Sequence, residues 1–359
     1  MLVSDFDYHL PSELIAQRPL ARRDDSRLLV VERLGGGVAD RKFAELPGLL
    51  RGDELVVVNN ARVIPARLLG SRIAKGDLAS GSAIGLVEVL LVRTVESDVW
   101  EALVRPGRKI QMGQRVRFGQ GELEGEVIAR GERGLRTLKF VSKDACSAGE
   151  HLERLGHVPL PPYIEREDEV SDRERYQTVF AKRPGAIAAP TAGLHFTPEI
   201  LQQIRDRGAE ICDLTLDVGL GTFQPVQSES LEDHPLHSER YEISEESADR
   251  IHAAKANGRA IVAIGTTVVR ALEDAALRAT RMNLDSTVVP GKAEAGVFIF
   301  PGFPFRVVDG LVTNFHLPRS TLLALVCAFA DRERILAAYK HAVKGGYRFY
   351  SYGDCMLIR

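Results

Sequence analysis

The chain has 359 residues, 45% hydrophobic and 27% charged, a balance that suits two globular domains with a sizeable core and excludes a disordered chain. Its net charge of -2 spreads no basic field, so any nucleic-acid contact must come from a local patch. The four cysteines, Cys146, Cys212, Cys327 and Cys355, form no CxxC pair, which argues against a zinc ribbon or a disulfide framework.

The first residues, Met1-Leu2-Val3-Ser4-Asp5, lack a basic-then-apolar leader, so a cytoplasmic protein is expected. Pro11 to Gln17 suits a short helical turn capped by Ser12, and Arg27 to Glu32 and Glu54 to Asn59 read as strands. From about Val63 to Phe140 the character changes to short strands between glycine turns. Leu86–Val92, Trp100–Val104, Arg115–Phe118, Leu123–Ala129 and Leu135–Phe140 are the clearest, and they predict a small antiparallel barrel or sandwich. Arg105-Pro106-Gly107-Arg108-Lys109 makes a basic turn on one hairpin. Its ordinary reading is a solvated rim, and its functional reading is a contact with phosphates, which Arg62, Arg67, Arg72, Arg115 and Arg117 would extend. The charge-rich Glu165–Arg175 stretch reads as a solvated loop.

Beyond Gly156, strands and helices alternate. Ala186–Ala189, Glu210–Leu216, Ala260–Ile264 and Leu311–Phe315 read as strands. Pro198–Arg207, Glu245–Asn257, Thr267–Arg278, Thr321–Ala330 and Glu333–Val343 read as helices. Thr321–Ala330 is also the longest apolar run, and it is too short to span a membrane. The pattern predicts a mixed-sheet α/β core domain over 1–62 and 154–359, discontinuous, with an inserted β-barrel domain over 63–153.

Four loops of small and hydroxylated residues follow predicted strands. They are Thr191-Ala192-Gly193-Leu194-His195, Asp217-Val218-Gly219-Leu220-Gly221-Thr222-Phe223, Gly265-Thr266-Thr267 with Arg270 behind it, and Thr313-Asn314-Phe315-His316-Leu317-Pro318-Arg319-Ser320. In an open α/β sheet, ligands bind outside the carboxyl ends of the strands. Each loop alone is also explained by tight turns and helix caps, and Thr197 with Pro198 is such a cap. Together they predict a site for a small anionic or zwitterionic molecule. The third loop lacks both the G-x-G-x-x-G fingerprint and a Walker lysine, so neither a dinucleotide fold nor a P-loop is expected.

Asp233-His234-Pro235-Leu236-His237-Ser238-Glu239 has metal-like His spacing but a proline and no evident further ligand. No metal is expected, and Glu239 or His237 is read as an acid–base group or a polar contact. Tyr347-Arg348-Phe349-Tyr350-Ser351-Tyr352-Gly353-Asp354 suits a strand with packed aromatics, or alternatively a stacking surface for a base.

These motifs together resemble the S-adenosylmethionine:tRNA ribosyltransferase-isomerase family of queuosine biosynthesis. The resemblance runs from Asp5-Phe6-Asp7-Tyr8 through Asn59–Arg67, Gly156–Ile164, Tyr176–Val179, Ala188–Thr197, Val218–Val226 and His234–Glu239 to Gly265–Arg270, Val308–Thr321 and Tyr347–Ile358. It implies transfer of the ribosyl part of S-adenosylmethionine to 7-aminomethyl-7-deazaguanine at the wobble position of tRNA. Epoxyqueuosine-tRNA is formed, and adenine and methionine are released. It also implies an α/β domain with an inserted barrel, S-adenosylmethionine as a substrate with no prosthetic group, and tRNA as partner. A monomer with no membrane partner is expected. On this reading His195, Glu239, His316 and Asp217 are candidate catalytic groups. Thr191, Gly193, Gly219, Gly221, Thr222, Phe223, Gly265, Thr266, Thr267, Arg270, Asn314 and Tyr352 are candidate substrate contacts, and Arg105, Arg108 and Lys109 candidate tRNA contacts. The family often has histidine where Asp217 stands, so that histidine is not indispensable unless Asp217 takes over its role. Ala61 and Val268 replace a usual threonine and serine. The competing readings are an S-adenosylmethionine-dependent RNA methyltransferase and a non-catalytic RNA-binding module.

Overall fold

Leu55–Asn59, the run Leu-Val-Val-Val-Asn, is buried at every position. Such a run belongs in the middle of a parallel sheet covered on both faces, and it lies there in the computed structural model. The structure describes residues 1–35, 37–73, 83–132, 134–219, 226, 228–234 and 238–359. A nine-stranded sheet runs in the order Gly291–Ala295, Glu239–Ile243, Glu210–Leu216, Leu55–Asn59, Ile261–Ile264, Gly310–Asn314, Cys355–Ile358, Arg27–Val31, Val38–Lys42. Glu210–Leu216, Leu55–Asn59, Ile261–Ile264 and Gly310–Asn314 pair in parallel. Cys355–Ile358 then pairs antiparallel with Gly310–Asn314, with Asn314 opposite Cys355. The turn before Cys355 therefore sits at the carboxyl end of the parallel strands.

Two buried clusters flank the sheet. One includes Val268, Leu272, Leu323, Val326 and Tyr339 from the helices Thr266–Arg281, Thr321–Ala330 and Arg332–Lys344. The other packs Ile200, Leu201 and Ile204 of helix Pro198–Asp206 on Val56, Val262 and Leu357. Thr197 caps that helix, its hydroxyl accepting from the Ile200 N–H at 3.3 Å, with Pro198 at the first position.

Chain contacts divide the molecule into Met1–Arg62, Pro161–Arg166 and Arg175–Arg359, which carry the sheet, and Val63–Leu160 with Glu167–Glu174. The second unit holds a closed barrel in the order Leu135–Ser142, Val99–Arg105, Ala83–Glu96, Arg67–Ile73, Arg115–Phe118, Leu123–Arg130. Among the described residues its strand pairings are antiparallel. Gly70 is required there: a Cβ would stand 2.6 Å from the Arg117 carbonyl and 2.7 Å from the Phe118 ring.

The structure departs from the sequence reading in several elements. The strand expected at Ala186–Ala189 is Arg183–Ala186, and it pairs with Ala61–Val63 in a separate two-stranded sheet, not in the large one. Tyr347–Asp354 is a turn rather than a strand. Tyr350 has a φ of 69°, and the strand begins only at Cys355. The fully buried rings of Tyr347 and Phe349 pack on Phe315, so tertiary packing produced an alternation that resembles a strand. Ala83–Glu96 is a single long strand. Ala148–Leu155, unassigned from sequence, is a helix with a reciprocal cap between Ser147 and Glu150, a Ser-x-x-Glu signature that was legible. Among the described residues, no helix is long and apolar enough to cross a membrane.

Candidate functional site

The carboxyl ends of the parallel strands open into a cleft that is continuous with solvent. Thr191, Gly265, Thr266, Thr267, Asn314 and His316 line it, together with Tyr163 and Tyr350. Three of the four loops singled out by sequence thus contribute to it, as does Val218 of the fourth. Gly265 has a φ of 97°, which lets the chain leave Ile264 and start the 16-residue helix Thr266–Arg281 without a side chain in the way. That helix presents its N-terminus, with its unpaired N–H groups and positive dipole end, at the cleft. The buried Thr267 hydroxyl has no hydrogen-bond partner, and neither has the Asn314 Oδ1. Both are polar atoms left for a ligand to satisfy.

His195 is 4% exposed and both ring nitrogens are engaged. Nδ1 lies 2.7 Å from the Ser26 hydroxyl and Nε2 lies 3.2 Å from the Asn314 amide nitrogen. The amide nitrogen donates, so Nε2 accepts and Nδ1 carries the proton; Ser26 in turn donates to the Arg23 carbonyl at 3.2 Å. Burial pushes the His195 pKa down to about 4, with the Arg23 and Arg348 charges adding to the fall, and the ring is neutral at pH 7. The Asn314 amide also donates to the Tyr350 carbonyl at 3.0 Å, which fixes its orientation. His316 lines the cleft itself. Its Nε2 is 2.7 Å from the Thr313 hydroxyl, and burial pushes its pKa down to about 3.

Glu239 and Arg270 form a buried ion pair, 5% and 8% exposed. Glu239 also accepts from the Gly219 N–H at 3.3 Å, and Arg270 donates to the Ala295 carbonyl at 3.1 Å. The pair therefore ties the start of the Gly219 loop to the helix behind Thr267. One turn further on, the fully buried Glu273 accepts from the backbone N–H groups of Arg306, Val307 and Val308. Sequence reasoning passed over Glu273, because a carboxylate inside a helix carries no local sign of its distant partners.

The remaining candidates lie elsewhere. Asp217 lines a different cavity with Arg183, Arg240, Glu242 and Lys292, and burial raises its pKa. Gly193 serves packing: a Cβ there would stand 2.6 Å from the Phe180 ring. His195 and Tyr352 line a second, smaller cleft with three arginines that sequence reasoning also missed. Gly221, Thr222, Phe223 and His237 lie outside the described residues.

In the barrel unit, Arg105, Arg108 and Lys109 are exposed. The 3% exposed Arg136 holds their turn from beneath, donating to the carbonyls of Gly107 at 2.8 Å and Ile110 at 3.1 Å. No carboxylate among the described residues pairs with these three cations, whereas Arg115 pairs with Glu126 and Arg117 with Glu124. The same unit brings Asp144, Cys146 and His151 within 4.8 Å of one another. His151 Nε2 is already hydrogen-bonded to Asp144 at 2.8 Å, and the Asp144 charge pushes the Cys146 thiol pKa up, away from the thiolate a metal prefers.

A ligand cleft at the carboxyl ends of a mixed sheet, in a chain carrying an inserted antiparallel barrel, defines an α/β protein built to hold a small polar substrate. The comparisons narrow the class. A family described as queuosine biosynthesis protein matches residues 3–358. The S-adenosylmethionine:tRNA ribosyltransferase-isomerase of Solibacter usitatus is 51% identical over 368 residues, and that of Carboxydothermus hydrogenoformans 49% over 358, each covering 100% of both chains. The crystal structure of S-adenosylmethionine tRNA ribosyltransferase from Thermotoga maritima is 35% identical, covers 99% of this chain and 100% of its own, and has a TM-score of 0.53. The chain belongs to the queuosine biosynthesis protein family of S-adenosylmethionine:tRNA ribosyltransferase-isomerases. The methyltransferase reading finds no support in these relatives.

Proposed function

We propose that the protein transfers and isomerises the ribosyl moiety of S-adenosylmethionine onto 7-aminomethyl-7-deazaguanine at the tRNA wobble position, giving epoxyqueuosine-tRNA and releasing adenine and methionine. Membership of the family from end to end carries this reading, and the cleft at the strand ends supports it. The methionine carboxylate fits the N-terminus of the Thr266–Arg281 helix, with the Thr266 and Thr267 hydroxyls as added donors. The Asn314 Oδ1 suits an N–H donor such as the methionine ammonium or an adenine amine.

The sulfonium acidifies the adjacent ribose hydrogens, and adenine leaves more readily when protonated. Among the described residues His316 is the cleft-lining imidazole best placed to exchange a proton with substrate, with Thr313 holding its Nε2. His195 acts as a positioning residue: it fixes Asn314 and keeps its own nitrogens occupied. The Glu239–Arg270 pair positions the Gly219 loop. The exposed Arg105, Arg108 and Lys109 contact tRNA phosphates. The direct test is to incubate the protein with S-adenosylmethionine and tRNA carrying the aminomethyl-deazaguanine base. Free adenine and methionine are expected, and S-adenosylhomocysteine would overturn the reading.

A further inference from the structure

The Asp5-Phe6-Asp7-Tyr8 motif and His316 are far apart in the chain, with 308 residues between Tyr8 and the histidine. Yet three consecutive residues of the motif hold the loop that carries His316. The Phe6 carbonyl accepts from the Arg319 N–H at 2.9 Å. The Asp7 carboxylate accepts from Arg319 Nε at 2.8 Å and pairs with its Nη2 at 2.8 Å. The Tyr8 hydroxyl donates to the His316 carbonyl at 2.5 Å. This grip has a fixed base. Phe6 is fully buried in the large cluster beside the sheet, and the Val3 N–H donates to the Glu229 carbonyl at 2.9 Å.

The loop is one that needs holding. Arg319 has a φ of 56°, in the left-handed region that a residue with a Cβ rarely takes. The backbone of His316 is bonded on both sides by tyrosines. Its N–H donates to the Tyr339 hydroxyl at 2.9 Å, and its carbonyl accepts from Tyr8. The two rings meet edge to face with centroids 5.0 Å apart. Burial pushes both phenol pKa values far up, so Tyr8 keeps the proton it donates. With Thr313 at 2.7 Å from Nε2, the backbone and one ring nitrogen of His316 are fixed together. We propose that Tyr8, with Tyr339, is a positioning residue for the His316 imidazole. The Phe6–Tyr8 segment sets where that ring stands in the cleft, and through it the rate of the step the ring serves, since a displacement of about 1 Å at a reacting group costs rate steeply. The proposal rests on the role argued for His316 above. Neither the family description nor the relatives' names assigns this segment a role.

The test is a double-mutant cycle of Tyr8→Phe and His316→Ala. The kcat and the KM for S-adenosylmethionine are measured at saturating tRNA, and unfolding is followed alongside so that lost protein is not read as lost rate. Tyr8→Phe removes one hydroxyl and keeps the ring packing. It is expected to lower kcat about tenfold, close to one hydrogen bond's worth, with KM little changed. In the His316→Ala background the same change is expected to lower kcat no further, because the ring it positions is gone. A merely structural role would lower both backgrounds alike; that result would overturn the proposal, as would full kcat in Tyr8→Phe. Asp7→Asn repeats the cycle on the exposed side of the grip, with little risk to folding. A loss of about two- to threefold is expected, again only while His316 is present, and an equal loss without it would count against the proposal. If His316→Ala keeps full kcat, the proton-exchange role of His316 fails instead. The ring is then followed by nuclear magnetic resonance in protein labelled at histidine. A shifted His316 signal in Tyr8→Phe is expected, and an unmoved one would overturn the positioning.

Discussion

The core cleft and the basic turn of the barrel use polar groups in opposite ways. Around the cleft, Glu239, Arg270, His195 and Asn314 are buried and bonded to one another or to backbone. On the barrel, Arg105, Arg108 and Lys109 stand in solvent, and only their backbone is held, by Arg136. A buried group removed from a network leaves its partner without water or hydrogen bond, whereas an exposed charge removed from a rim is replaced by solvent. The first region is therefore expected to couple stability to chemistry, and the second to affect only long-range attraction.

The sharpest way to break this contrast is Glu239→Ala. It leaves the Arg270 guanidinium buried without its carboxylate, and a loss of about 3–5 kcal/mol in denaturant unfolding is expected; a loss below about 1 kcal/mol would place the pair on the same footing as the rim. His195→Ala is expected to cost about 1–3 kcal/mol, because Ser26 and Asn314 each lose a buried partner, and to lower kcat as Asn314 keeps its bond to the Tyr350 carbonyl but loses the one to the ring. Its pH dependence has a definite sign. The folded ring has its pKa lowered from 6.5 to about 4, so the unfolded chain binds the proton better. Stability is therefore full above pH 6.5 and falls as pH drops toward 4, by up to about 1.4 kcal/mol per pH unit from this group. His195→Asn should flatten that part of the profile, and an unaltered profile would show that folding does not shift the ring's proton affinity.

Thr267→Val sharpens the comparison from the ligand side. The hydroxyl is buried without a partner, so its removal is expected to leave unfolding stability unchanged or slightly higher. Affinity for S-adenosylmethionine is expected to fall about tenfold, near one hydrogen bond's worth, in a calorimetric titration. The smallest effect on the fold belongs to Arg105→Ala with Arg108→Ala. Thermal unfolding should not move, while the salt slope of tRNA binding should drop by about 1–2; an intact slope would shift the nucleic-acid surface away from this turn.

Much of the cleft was legible because its loops are local. A strand run followed by Gly265-Thr266-Thr267, or by Asn314-Phe315-His316, announces its place by sequence adjacency, and the Thr197–Pro198 cap is a two-residue signal. What escaped was long-range. Nothing near Tyr347–Asp354 distinguishes an alternating strand from a turn whose rings fill the space beside Phe315. Asp217 stands next to Val218 in sequence, yet just past the end of the strand Glu210–Leu216 the two residues line different cavities. The insertion was visible as a change of period, but not which of its cations are neutralised: Glu124 and Glu126 cancel Arg117 and Arg115 through register across the barrel.

By itself the sequence determined the two kinds of domain, the approximate bounds of the five longer helices after Gly156, and the loops that carry hydroxyls and imidazoles, since periodicity and caps are written within a few residues. Only the tertiary structure decided that Glu239 meets Arg270, that both His195 nitrogens are occupied, and that Arg22, Arg23 and Arg175 share one cleft. Those outcomes depend on strand order and register, which bring together groups as far as 169 residues apart and set the burial that shifts their charges.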